Sequence, residues 1–224
     1  MLVSLALTAT AAQAAAPGPA ADGERRLGHL PYADVGVAAL VSAPAGFAVG
    51  QPCQVQPAVA AALGELMAAQ AASGVAGTVR GVSCYRSVAH QRSVFCHGRS
   101  CVETEGRAHM VAPPGYSEHE TGYAVDFAAR PSLGCADTRD CIAATPVGQW
   151  LLANAPRFGF ELSFPAGNAQ GVGWEPWHWR WVGVDGEDSA ARAAPYINAQ
   201  PAAAVVNRDK FIETALDLIF SPLR

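Results

Sequence analysis

Hydrophobic and polar positions follow a helical period in one long stretch of the chain and alternate in two shorter ones. In PAVAAALGELMAAQAA, residues 57–72, Val59, Leu63, Leu66 and Met67 fall on one face, which predicts a core helix. Pro57 suits its first turn and Gly74 its exit. GTVRGVSCYRS then alternates, with Thr78, Arg80, Val82 and Cys84 on one side and Val79, Gly81 and Ser83 on the other, as a strand does. Between residues 86 and 96, Val88, Gln91, Val94 and Phe95 stand at three-and-four spacing. A second helix follows, with Arg86 at its entrance and Gln91 in its first turns. AVDF reads as a short buried strand, and TPVGQWLLANAPRFGF as a helix ending near Pro156 to Gly159. WHWRWVGV alternates strongly: Trp177, Trp179 and Trp181 face one way and His178, Arg180 and Val182 the other. The tryptophan stripe reads as core packing, with Trp177 or Trp174 as a candidate wall of a cleft. Near the end, Val206, Phe211, Ala215, Leu218 and Ile219 predict a C-terminal helix, packed on the domain or laid against a partner.

The organisation that results is one domain with appendages. The opening MLVSLALTATAAQAAAP is a short apolar run leaving through Ala12-Gln13-Ala14, which reads as a signal peptide over residues 1–15. It has no basic residue before Arg25. Residues 16–50, rich in Ala, Gly and Pro, read as an irregular lead-in. Residues 51–186 form the domain proper and 187–224 a C-terminal extension. No stretch has the ~20 apolar residues of a spanning helix. A net charge of −4 without clustered Lys or Arg excludes a nucleic-acid footprint.

Six cysteines, Cys53, Cys84, Cys96, Cys101, Cys135 and Cys141, are an even number in a chain that reads as exported, which favours disulfides. A structural zinc site would use Cys-x2-Cys pairs, and the close spacings here are Cys96-x4-Cys101 and Cys135-x5-Cys141. Small loops close most easily, so the expected pairs are 96 with 101 and 135 with 141, leaving Cys53 for Cys84.

The chemistry lies in two segments. GYSEHETGYAVDF, residues 115–127, supplies His119 and Asp126, and GVGWEPWHWRWV supplies Glu175 and His178. Zinc catalysis needs about three protein ligands with a position open for water, and a separate carboxylate to take the water's proton. Asp126 sits in an apolar run where an unpaired charge would be costly, so a cation partner is reasonable there. Glu118 and Glu120 flank His119 in a polar turn and read as solvated. Pro176 lacks a backbone donor and frees Glu175 from strict alternation, which makes Glu175 the natural base and leaves His119, Asp126 and His178 as ligands. His29, His90, His97 and His109 read as surface or hydrogen-bonding residues.

Ser-x-His-x-x-Gly-x-Ala-x-Asp at 117–126 followed by Glu-Pro-Trp-His at 175–178 resembles the VanY-type zinc D-alanyl-D-alanine carboxypeptidases. The resemblance continues in Ser83-Cys84-Tyr85-Arg86-Ser87 with Gln91, in Pro114 to His119 and in Phe158-Gly159-Phe160, and covers about residues 80–184. It implies an α+β fold, a single compact domain with helices packed on a central antiparallel sheet holding one zinc. It further implies cleavage of the peptidoglycan stem peptide near its D-alanine end; the apolar opening run separately predicts export to the periplasm or outside a bacterial cell, and a monomer is expected. Carried over by position, His119, Asp126 and His178 bind Zn2+, Glu175 is general base and acid, Arg86 holds the scissile carbonyl or its oxyanion, and Gln91 and Ser117 contact substrate. Cys84 replaces the family's usual glycine, and the stretch beyond about Gly186 is outside the shared pattern. An L,D-carboxypeptidase acting on tetrapeptide stems resembles the same motifs. A zinc-bearing peptidoglycan-binding module would keep the ligands but have little need of Glu175 or Arg86.

Overall fold

The computed structural model describes residues 25–184; the expected signal peptide at 1–15 and the C-terminal helix at 203–224 lie outside the described residues. In chain order the regular elements are β1 (Val41–Ser42), β2 (Gln54–Val55), α1 (Pro57–Ala72), β3 (Thr78–Ser83), α2 (Val88–Cys96), β4 (Ala124–Arg130), α3 (Pro146–Asn154), β5 (Phe160–Leu162) and β6 (His178–Trp181), with short 3-10 turns between them. β3, β4, β6 and β5 lie in that order in one antiparallel sheet, and β1 pairs with β2 in a separate two-stranded ribbon. The α+β expectation holds.

α1 begins at Pro57, as the sequence predicts, and buries Val59, Ala62, Leu63 and Leu66, with Met67 partly covered. These side chains meet Val125 and Phe127 of β4, Phe160 of β5 and Trp179 of β6 in one core. Gln70 fastens the helix to the sheet: its amide donates to Gly77 O at 3.0 Å and its carbonyl accepts from Val79 N at 3.3 Å. Alternation along a strand sends neighbours to opposite faces, so Val125 and Phe127 enter this core while Asp126 between them does not. Because the second face is covered too, β4 is buried from Ala124 to Ala129, and its sequence is a continuous apolar run broken only by that aspartate.

The stretch expected as an irregular lead-in does more than connect. Phe47 is fully buried in the core, edge-on to Phe127. Its ring leaves no room on β3, where a Cβ on Gly81 would fall 2.2 Å from Phe47 Cε1. The predicted 145–159 helix is divided. α3 ends at Asn154, a 3-10 turn carries the chain through Pro156 to Phe158, and Gly159 at φ 79° closes it. Pro156 lacks the N–H that continued α-helix would need. All three disulfides join the expected partners, Cys53–Cys84, Cys96–Cys101 and Cys135–Cys141. Among the described residues no helix is long and apolar enough to cross a membrane.

Candidate active site

Sheet register assembles the site. Asp126 on β4 stands opposite His178 on β6 and opposite Ser83 on β3, with an irregularity between Gly81 and Ser83. Directly opposed residues project from one face, so Asp126 and His178 share the face away from α1. His119 arrives from a 3-10 turn, Glu118–Thr121, that ends at Gly122 with φ 71°. A Cβ there would lie 2.6 Å from Leu40 Cδ2, so the turn that aims His119 requires glycine on both conformational and steric grounds.

His119, Asp126 and His178 are buried, and one ligand atom from each lies within 4.8 Å of the others. Their hydrogen bonds assign the free nitrogens. His119 Nδ1 donates to Cys84 O at 2.7 Å, which leaves Nε2 facing Asp126 Oδ2 at 3.3 Å. His178 Nε2 lies 2.9 Å from Glu118 Oε2 and its Nδ1 lies 3.0 Å from Asp126 Oδ1. Each imidazole thus has one nitrogen spent on a fixed partner and one directed at the shared space, which is how protein ligands to a metal are oriented. Two imidazoles and a carboxylate, converging and buried, form a donor set that fits zinc with a position left open.

Burial by itself would raise the Asp126 carboxyl, but the two histidines outweigh it and hold it far below the ordinary carboxylate range. Burial also governs His119 and lowers it, against the opposing pull of Asp126. For His178, burial opposes the charge, yet the hydrogen bonds to Asp126 and Glu118 prevail and push it up to about 10 in the metal-free protein.

Glu118 and Glu120 correct the sequence reading: both are buried rather than solvated. Glu118 accepts from Tyr32 Oη at 3.2 Å, from Arg180 Nη1 at 3.2 Å and from Ser163 Oγ, besides His178. Burial favours its protonated form, but Arg180 and His178 override that and hold it down at about 2. The turn looked exposed because its cover comes from elsewhere: from residues near Tyr32, and from Arg180 on the His178 face of β6. Glu120 accepts from Gly115 N at 2.9 Å, its other oxygen has no hydrogen bond among the described residues, and burial pushes it up to about 7.

A cleft of about 530 Å³ opens over these ligands, and Arg86, Gln91, Ser117, Glu175 and Trp177 line it with them. Trp177 is therefore the cleft tryptophan, whereas Trp174 is 42% exposed and outside the lining. Glu175 stands in the turn before β6, where His178 N donates to its carbonyl at 3.0 Å. Burial pushes its carboxyl up to about 7. Arg86, just ahead of α2, donates to Gln91 Oε1 at 2.7 Å and Ser83 Oγ at 2.9 Å and lies 3.9 Å from Asp126 Oδ2. Gln91 is fully buried, with its amide nitrogen on Ala112 O at 2.6 Å, so both ends of its side chain are engaged. Ser117 is buried at the start of the His119 turn without a side-chain capping bond.

Sequence reasoning missed three contributors. Tyr32 and His29 line the cleft, and His29, which is buried, bonds Ala108 O at 2.6 Å through Nε2. Arg180 was placed on the His178 side of its strand by alternation, which was the available signal for its role. His90, His97 and His109 lie on the surface as expected.

Comparison with known proteins bears on the same region. The family model described as VanY, D-alanyl-D-alanine carboxypeptidase, matches residues 52–184. The D-alanyl-D-alanine carboxypeptidase of Enterococcus faecalis is 34% identical over 136 residues, 55% of this chain and 46% of that protein. Matches to curated relatives span from 26% to 60% of those proteins' own lengths. Among solved structures, the LdcB LD-carboxypeptidase superposes with a TM-score of 0.60 at 26% identity, over 73% of this chain and 79% of that one. VanYB in complex with D-alanine-D-alanine superposes with a TM-score of 0.50 at 27% identity, over 70% of this chain and 92% of that one.

Proposed function

The chain belongs to the VanY family of D-alanyl-D-alanine carboxypeptidases, and from that premise we propose that it is a zinc peptidase removing the C-terminal D-alanine of peptidoglycan stem peptides. The observation that supports this most is the convergence of His119, Asp126 and His178 within 4.8 Å, in one cleft with Glu175 and Arg86.

His119 Nε2, an Asp126 oxygen and His178 Nδ1 are the atoms that would hold the ion. Zinc bound there would supply Lewis-acid polarisation of the scissile carbonyl and a water of lowered pKa. Glu175 takes the proton from the attacking water and returns it to the leaving amine. Its burial, which pushes the carboxyl up to about 7, suits both halves of that task near neutral pH. Arg86 donates to the oxygen on which negative charge grows. A guanidinium already held by Gln91 and Ser83 needs little reorganisation as that charge appears. Gln91 acts by orienting Arg86, and Ser117 is the group at the cleft wall for a substrate contact.

The three disulfides suit an oxidising compartment, consistent with export to the periplasm or beyond, where the cell-wall substrate lies. A second reading, L,D-cleavage of tetrapeptide stems, is favoured by the likeness to the LdcB LD-carboxypeptidase. Purified protein incubated with pentapeptide and tetrapeptide muropeptides, with and without chelator, separates the two when alanine loss is followed by mass spectrometry. D,D-activity predicts chelator-sensitive loss from the pentapeptide first. Loss from the tetrapeptide alone would establish the L,D reading, and no loss from either would refute both.

A further inference from the structure

Asp34 lies outside the cleft lining and before the matched residues 52–184, yet its carboxylate holds the segment that carries Arg86 from both sides. Tyr85 Oη donates to Asp34 Oδ1 at 2.6 Å, and Val88 N donates to Oδ2 at 2.9 Å. Gly36 N, 3.0 Å from Oδ1, steadies the aspartate within its own turn. Arg86 and Ser87 are thus spanned by one carboxylate. Desolvation would raise Asp34, but the bonds from Tyr85, Val88 and Gly36 outweigh it and hold it below the ordinary carboxylate range. Burial and the bond to Asp34 push the Tyr85 hydroxyl up to about 12. Near neutral pH the acceptor therefore stays charged and the donor stays protonated.

The chain that brings Asp34 is itself tied to the ligand turn. Tyr32 N donates to Gly115 O at 2.9 Å, Val35 N donates to Glu120 O at 3.1 Å, and Tyr32 Oη donates to Glu118 Oε1 at 3.2 Å. Arg86 N donates to His119 O at 3.2 Å, so a slip of the Arg86 segment is a slip relative to a metal ligand. Residues 32–35 bridge that turn to the start of α2.

The start of α2 matters because Gln91 stands on it. Ser87 Oγ caps His90 N at 3.2 Å, whereas Val88 N is one of the amides that a helix cannot satisfy internally. Asp34 takes this amide and sets a negative charge at the positive end of the helix. Val88 and Gln91, three residues apart, lie on one helix face. Holding Val88 therefore holds the base from which Gln91 reaches Arg86 Nη1 at 2.7 Å, and Tyr85 holds the other flank. The carboxylates that act most on the Arg86 charge are Asp126, Glu120 and Glu175, so Asp34 acts on it by position.

Resting on the peptidase reading above, we propose that Asp34 is a positioning residue for catalysis: by gripping Tyr85 and Val88 together, it sets the Arg86 guanidinium against the metal site. The test uses the zinc-loaded full chain and whichever muropeptide the parent cleaves. Asp34 is exposed, so Asp34→Ala opens no core cavity and is expected to fold and keep its zinc. Its kcat should fall about tenfold with KM little changed, as for a transition-state donor left free to wander. Asp34→Asn can still accept from Val88 N and donate to Tyr85 Oη, and should recover most of kcat. Tyr85→Phe, which keeps the Val88 bond, should give an intermediate loss. Asp34→Ala/Arg86→Ala should be no slower than Arg86→Ala. Parental kcat in Asp34→Ala, an Asp34→Asn protein as slow as Asp34→Ala, or a double variant slowed by the product of the single effects overturns the assignment. If no muropeptide is cleaved the peptidase reading fails, and nitrogen NMR of the guanidinium then decides the positioning. The Arg86 signals, identified by their loss in Arg86→Ala, should be separate for the two Nη groups in the parent and merged by rotation in Asp34→Ala. Merged signals in the parent, or separate ones in Asp34→Ala, refute it.

Discussion

Glu118 Oε2 lies 2.9 Å from His178 Nε2, and this contact decides which nitrogen of His178 is left for a metal. With Nε2–H donated to Glu118, Nδ1, which faces Asp126, is the nitrogen left for a metal, and the ring's rotation is fixed. Replacing Glu118 should therefore weaken metal binding without touching a ligand. Glu118→Gln is expected to lower zinc affinity by about 10- to 100-fold, the usual range for a partner of a metal-bound histidine. Competition against a chelating dye measures it, and an unchanged affinity would show that Asp126 alone orients the ring.

The same pair of contacts makes metal binding depend on pH. In the metal-free protein His178 bonds acids through both nitrogens and is pushed up to about 10, so it carries a proton at neutral pH that zinc must displace. Affinity should rise about tenfold per pH unit between roughly pH 6.5 and 9, with one proton released, as calorimetry in buffers of different ionisation enthalpy reads directly. The stability of the metal-free protein has the opposite slope. A raised histidine contributes fully below its unfolded value of 6.5 and is lost as pH climbs through 10, so Tm in chelator should fall between pH 6.5 and 10. Glu118, held down at about 2 from an ordinary 4.5, adds stability above pH 4.5 that disappears as pH falls toward 2.

Glu175 separates chemistry from metal binding. It lines the cleft with the three ligands but belongs to no metal-holding group among the described residues. Glu175→Gln should keep stoichiometric zinc and near-parental Tm while turnover falls by at least ~10²-fold, the scale for losing a positioned base. His178→Ala should lose zinc and activity together, because two remaining ligands make a poor site. A Glu175→Gln protein releasing D-alanine at the parental rate would remove it from the mechanism.

What could be read from the sequence was what local pattern encodes. The face of α1, the strand around Asp126, the alternation that puts His178 and Arg180 together, and the pairing of the cysteines by loop length all depend on residues near one another in the chain. Glu118 was misread because its burial depends on Arg180 and Tyr32, which are distant in sequence. Residues 25–50 looked irregular because their contribution is made by single side chains, such as Phe47 on Gly81, which leave no period to detect.

The Cys53–Cys84 bridge links stability to the site. Cys84 O receives His119 Nδ1 at 2.7 Å, so the bridge holds the backbone that orients a ligand. Changing both cysteines to serine should cost about 2–4 kcal/mol of stability and also weaken zinc binding. The matching Cys96, Cys101 pair of changes, whose loop touches no ligand, should affect stability alone. Denaturant titration beside dye competition distinguishes these; equal zinc affinity in both variants would mean that the Cys84 carbonyl is held without the bridge.

Arg86 and Gln91 form a pair whose roles can be divided by kinetics. Arg86 faces Asp126 at 3.9 Å and is placed to meet charge in the transition state, whereas Gln91 grips it at 2.7 Å from a fully buried position. Arg86→Ala should lower kcat by about 10²- to 10³-fold with zinc retained, as removal of an oxyanion donor does. Gln91→Ala leaves the guanidinium present but free to turn, so its kcat should fall less, by about tenfold, because part of the population still presents the donor. The double variant then provides the decisive comparison. If Gln91 acts only through Arg86, Arg86→Ala/Gln91→Ala should be no slower than Arg86→Ala. A double variant slowed by the product of the two single effects would mean that Gln91 contacts substrate independently.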